Sequence, residues 1–184
     1  MKWRKNYDER ESTGLRLSGG FYYRLNENGE AIICGAEDWP EILVIPEIID
    51  GHTVVEIGDG AFSSDVKAQS LSFTDGPVSE EQLTAKFMDI MIEDMVCKRL
   101  KKVTLPETIR RIGCCAFYQN NEISEVNIPR SVEEIDSCAF SNVWGVTRFE
   151  IPATTKVYKD YPEDDLCEEQ AAFEGCVNAE FVFI

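Results

Sequence analysis

Apolar residues recur with a fixed period between residues 100 and 151. Leu100, Val103, Leu105, Ile109, Ile112, Ala116 and Phe117 return 23 positions later as Ile123, Val126, Ile128, Val132, Ile135, Ala139 and Phe140, and Val146, Phe149 and Ile151 open a third copy. A period in the 20s marks stacked coils that share one continuous core, each contacting only its neighbours. Ahead of each proline (Pro106, Pro129, Pro152) the inward residues alternate, as in a short strand with every second side chain buried. Extending that register predicts six parallel strands, at 40–45, 68–73, 100–105, 123–128, 146–151 and 179–184. The architecture expected is an α/β solenoid of about five coils, with strands on one face and the intervening segments, one or two of them helical, on the outer wall.

The pattern changes at both ends and at two interruptions. Residues 1–20 carry no apolar period and read as a flexible arm, so the solenoid is expected over 21–184. Phe21–Leu25 and Ala31–Cys34 flank Asn28-Gly29, a hairpin signal, and residues 21–39 would cap the open end of the stack. The first coil has five extra residues around the turn Asp50-Gly51. Residues 79–97 predict a helix opened by Ser79 and Gln82 as a capping box. A second insertion, about 156–170, is rich in Asp and Glu.

The string Pro-x-x-Ile/Val-x-x-Ile-Gly/Asp-x-x-Ala-Phe, at Pro106 to Phe117 and Pro129 to Phe140, resembles the BspA-like leucine-rich repeat family. That resemblance extends over about residues 21–184. It implies a right-handed leucine-rich-repeat solenoid of the kind common on bacterial surfaces and in adhesion, without enzymatic activity and without a defined ligand site to carry over.

Side chains alternate along a strand, so residues between the buried ones point out onto the sheet face. Two outward rows follow: Ile42, Ser70, Lys102, Glu125, Arg148, Phe181, and Val44, Ser72, Thr104, Asn127, Glu150, Phe183. Lys102, Glu125 and Arg148 would form a plus-minus-plus ladder, either a solvated face or a partner surface. The hairpin is placed to cover Ile42 and Val44. Phe181 and Phe183 would leave an apolar edge suited to end-to-end self-association. On the helix, Met88, Met91 and Met95 widen the apolar arc beyond one packed face, which fits either burial between coils or a partner groove.

Composition narrows the partners. Eighteen Lys and Arg against 34 Asp and Glu leave a formal charge of −16, which repels phosphate backbones and argues against nucleic acid. No apolar run reaches the roughly 18 residues of a membrane span. Met1 to Arg10 lacks the apolar core of a signal peptide, which as written points to the cytoplasm; if a leader has been removed, the cell surface is the alternative. Seven cysteines, with no C-x-x-C pair, argue against a disulfide framework and a zinc ribbon. Cys115 and Cys138 share a repeat position, close enough to bridge, although such small-residue positions usually serve packing. His52 is the one histidine and no nucleophile motif accompanies it, so neither catalysis, a cofactor nor a metal is expected. The acidic stretch lacks calcium-loop spacing. The reading that results is a non-enzymatic protein-interaction scaffold, with an extracellular carbohydrate-binding or adhesion module, using Trp39, Trp144 and the acidic stretch, as the alternative.

Overall fold

The computed structural model describes residues 14–64, 100–158 and 171–184. The predicted helix at 79–97, with Met88, Met91 and Met95, and residues 159–170 of the acidic insertion lie outside them. Among the described residues every regular element is a strand.

The coils are built from short strands on two sides. On one side lie β4 (Ile42–Val44), β7 (Lys102–Thr104), β9 (Glu125–Val126), β11 (Arg148–Ile151) and β13 (Glu180–Phe183). These pair in parallel as β4-β7-β9 and as β11-β13. Val103 stands against both Leu43 and Val126. On the other side, β6 (His52–Ile57), β8 (Arg111–Ile112), β10 (Glu134–Ile135) and β12 (Lys156–Val157) form a second parallel ladder. The outer wall of the described coils is therefore a second sheet, and Lys156 and Val157, expected in the acidic insertion, are part of it.

Proline separates the two strands of a coil, because it cannot donate to the ladder and pre-sets a turn. Ile109, Val132 and Thr155 each donate their amide back to the carbonyl of the proline three residues earlier, Pro106, Pro129 and Pro152. A second tight turn precedes each Ala-Phe pair. There Gly60, Cys115 and Cys138 take φ of 66°, 55° and 53°, the left-handed region. Two of these three are not glycine, so the stack holds cysteine in a conformation L-residues disfavour. Gly113 is required for another reason: a Cβ there would lie 2.8 Å from the backbone nitrogen of Asp59 in the preceding coil.

The core is a set of columns running along the stack. Phe62, Phe117, Phe140 and Phe173 follow one another at 5.6, 5.3 and 5.3 Å between ring centroids, nearly parallel throughout. Their backbones are joined as well: Phe62 donates to Ala116, Phe117 to Ala139 and Phe140 to Ala172.

The expected strand at 68–73 lies outside the described residues; among those described, Leu43 pairs directly with Val103 and Phe62 stacks directly on Phe117. Two expectations are corrected. First, Phe181 and Phe183 do not occupy the outward rows. Phe181 stands against Phe149 and Phe183 against Ile151, so Glu180 and Val182 face outward instead. The connection from Phe173 is one residue shorter than the 11-residue spacing of the central copies, and a one-residue slip exchanges the faces of a strand. Second, part of the expected flexible arm is a strand. β1 (Arg16–Ser18) pairs antiparallel with β2 (Phe21–Leu25), whose partner is β3 (Ala31–Ala36). Leu15 and Leu17 pack on Tyr22, Ile32 and Cys34, which gives this strand an apolar face to bury.

The hairpin joins the second ladder, β3 pairing in parallel with β6. It leaves the outward faces of Ile42 and Val44 uncovered, at 58% and 57% exposure. Its attachment to the first coil runs through the extra residues there: β5 (Ile48–Ile49) and β6 form a hairpin around Asp50 and Gly51, both at positive φ. The Asp50 carboxylate accepts hydrogen bonds from Ser18 Oγ and Tyr23 Oη, each 2.7 Å, and these hold its pKa below the usual carboxylate value.

Phe117→Ala removes the middle ring of the column and should cost about 3–5 kcal/mol, read as a lower urea midpoint. A depressed carboxylate pKa supports the fold above the unfolded-state value, about 3.9, and loses that support as pH falls through the lower folded value. Stability measured across that acid range should therefore fall less steeply for Asp50→Asn than for the parent chain.

Candidate functional site

The outward face of the first sheet is laid out by register. Ile42, Lys102 and Glu125 are direct neighbours across β4, β7 and β9, as are Val44 and Thr104. Across β11 and β13 the neighbours are Arg148 with Glu180 and Glu150 with Val182. Lys102 Nζ contacts Glu125 Oε1. Arg148 turns the other way, to Glu180 at 3.0 Å and Glu150 at 3.1 Å, so the expected three-charge ladder is one ion pair plus a separate Arg148 cluster. Pairs this exposed are worth about 0–1 kcal/mol and leave the charges available. Asn127 extends the ladder with its side chain: its amide accepts from the Leu105 N–H and donates to the Leu105 carbonyl, both 2.8 Å. One end of the face is apolar, since Ile42 and Val44 on β4 are both more than half exposed.

The second sheet carries a charge cluster that the repeat analysis overlooked. Glu56, Arg111, Glu134 and Lys156 occupy equivalent positions on β6, β8, β10 and β12 and are neighbours in register, an alternating series of four charges. Arg111 contacts Glu56, Asp59 (2.9 Å) and Asp136 (2.7 Å), with Glu134 at 3.9 Å. Burial opposes its charge, but Asp59, Glu56 and Asp136 outweigh that and raise its pKa. For Glu56 burial is the larger effect: despite Arg111 its pKa rises. The signal was present, because each of the four residues immediately precedes an inward Ile or Val (Ile57, Ile112, Ile135, Val157).

The remaining candidates are placed as follows. His52 Nδ1 lies 2.7 Å from the Gly29 carbonyl, which ties the first coil to the hairpin turn. Trp39 packs edge-on against Phe62 at 5.7 Å, whereas Trp144 is half exposed. Cys115 and Cys138 are not bridged by a disulfide and pack in one buried cluster with Cys114. Among the described residues no group of three or more His, Cys, Asp or Glu converges to hold a metal, and no helix is long and apolar enough to cross a membrane.

Residues 95–162 match the BspA type leucine rich repeat region, in six copies. The central repeats are leucine-rich repeats of the BspA type. No curated protein matches the chain. Among solved structures, this leucine-rich-repeat chain is similar to a leucine-rich repeat protein from Bacteroides ovatus ATCC 8483, at 21% identity and a TM-score of 0.59, over 92% of this chain and 41% of that one. It is similar also to a leucine-rich repeat protein from Bacteroides capillosus ATCC 29799, at 18% identity and TM-score 0.54, over 77% of this chain and 85% of that one. The leucine-rich repeat protein of T. pallidum is a third, at 19% identity and TM-score 0.55, over 77% and 62%. At these identities the likeness extends to the fold.

Replacing Arg111 by Met would leave Glu56, Asp59, Glu134 and Asp136 facing one another. The expected loss is about 2–4 kcal/mol, seen by thermal or urea denaturation and smaller at high salt.

Proposed function

We propose that the chain is a non-enzymatic scaffold that binds a polypeptide on the outward face of β4, β7, β9 and β11. The observation that carries this reading is the pairing, on one face, of exposed Ile42 and Val44 with the charges of Lys102, Glu125 and Arg148. Apolar anchors beside a polar rim are what a polypeptide interface uses, the anchors supplying affinity and the charges register. Lys102 and Arg148 attract acidic side chains even though the chain as a whole is strongly negative, so a partner segment with acids flanking an apolar stretch fits best. Met88, Met91 and Met95 remain candidates for a second contact. A carbohydrate-binding or adhesion role is the other reading, favoured by Trp144, an aromatic face 51% exposed.

Ile42→Asp together with Val44→Asp should leave the urea midpoint nearly unchanged, since both side chains are more than half exposed, and abolish binding of the polypeptide partner. Lys102→Glu with Arg148→Glu should weaken that binding and remove its salt dependence. If these variants bind as the parent does while Trp144→Ala loses retention on a glycan array, the carbohydrate reading replaces this one.

A further inference from the structure

The outward face of the first sheet is complementary to itself. Its strands present residues in two rows, two positions apart along each strand: Ile42 and Val44 on β4, Lys102 and Thr104 on β7, Glu125 on β9 with Asn127 directly after it, and Arg148 and Glu150 on β11. Lys102 and Thr104 are partly buried, and the others are exposed.

We propose that this face binds a second copy of the chain, sheet against sheet, about a two-fold axis that runs along the stack between the two rows. The inference rests on the reading of this face as a polypeptide-binding surface and names its partner.

Rotation about that axis sets each strand opposite its own counterpart, antiparallel to it, and exchanges the rows. Ile42 then faces Val44 of the second copy, Lys102 faces Thr104, Glu125 faces Asn127 and Arg148 faces Glu150. Apolar residues meet apolar residues, and within the two rows no like charges oppose one another. Because the interface is isologous, every one of these contacts is made twice. The uncharged partners have capacity to spare. Asn127 Nδ2 donates one of its two hydrogens to the Leu105 carbonyl, which leaves the other for Glu125 of the second copy. Arg148 and Glu150 already lie 3.1 Å apart within one chain, so two such pairs brought together make an alternating cluster of four charges. Ile42 and Val44, the apolar end of the face, supply the area removed from water.

The other two-fold arrangements of the same face match less well. An axis parallel to the strands and centred on β9 would set Glu125 against Glu125 and Lys102 against Arg148. Centred between β7 and β9, it would place Ile42 and Val44 against Arg148 and Glu150, so that charges lose water to apolar groups. Only the axis along the stack matches every row position, and charge complementarity of this kind fixes register between partners. The face is used up when two copies meet, so association closes at the dimer.

The test is analytical ultracentrifugation of the chain over a wide concentration range, which should show a monomer–dimer equilibrium. Arg148→Glu sets acid against acid across the interface, and Glu150→Arg sets base against base. Each should raise the dimer dissociation constant about tenfold or more. An equal mixture of these two variants should dimerise again, as one copy of each, because each supplies the charge that the other lacks. That rescue also shows that both variants are folded. Arg148→Glu combined with Glu150→Arg in one chain keeps the formal charge at −16 and should dimerise as the parent does. A monomer at every concentration overturns the proposal, as do single variants that dimerise like the parent or a mixture that associates no better than its components. Those results leave the polypeptide-binding reading standing; it falls separately, if Ile42→Asp with Val44→Asp binds polypeptide as the parent does.

Discussion

Coil-to-coil contact is the constraint on which the rest depends. No single coil of this protein buries its own apolar side. Leu100, Val103, Leu105, Ile109, Ile112 and Phe117 become a core only when another set lies above and below them. The phenylalanine of each coil is where this is most concentrated: its ring stacks on the next ring while its amide donates to the neighbouring alanine carbonyl. Spacing of side chains and spacing of hydrogen bonds must therefore agree at every step, which is why the turns before and after Ala-Phe hold residues such as Cys115, Cys138, Gln119 and Asn142 at positive φ. Local strain is accepted there because the stack over-determines the backbone.

Much of this was legible in the chain itself. The 23-residue period located the columns, and Val103 does lie between Leu43 and Val126. The hairpin around Asn28-Gly29 was equally readable, because its turn residues and flanking strands are local. What was not legible was anything requiring a count across an irregular connection. Residues 68–73 match the repeat by spacing and lie outside the described residues, while Leu43 and Val103 meet directly. At the terminal strand a single residue fewer after Phe173 exchanged inward for outward, and Glu180 took the place assigned to Phe181. Periodicity tells which residues share a face only while the period is kept.

The charged positions show the same division. Lys102 and Glu125 pair as their spacing suggested, but Arg148 turns toward Glu180, a residue brought alongside by the shifted register. The Arg111 cluster was missed because attention to buried positions passes over the residue beside each of them. Glu56, Arg111, Glu134 and Lys156 alternate in sign from coil to coil, a pattern that emerges only when polar columns are compared with the same care as apolar ones. Burial makes that cluster more consequential than the exposed pairs on the opposite sheet, since half-buried charge is stabilising only when each member is matched.

Ser64 and Leu100 are separated by 35 residues in the chain and yet belong to consecutive coils: Ser64 donates to Tyr118 of the next coil, and Lys101 to Glu41 of the previous one. The seam between those coils is thus closed on its own, whatever length of polypeptide departs and returns there. Such a junction gives evolution a place to graft, lengthen or exchange a segment without retuning a single core column, and it separates the inheritance of the scaffold from that of whatever the scaffold carries.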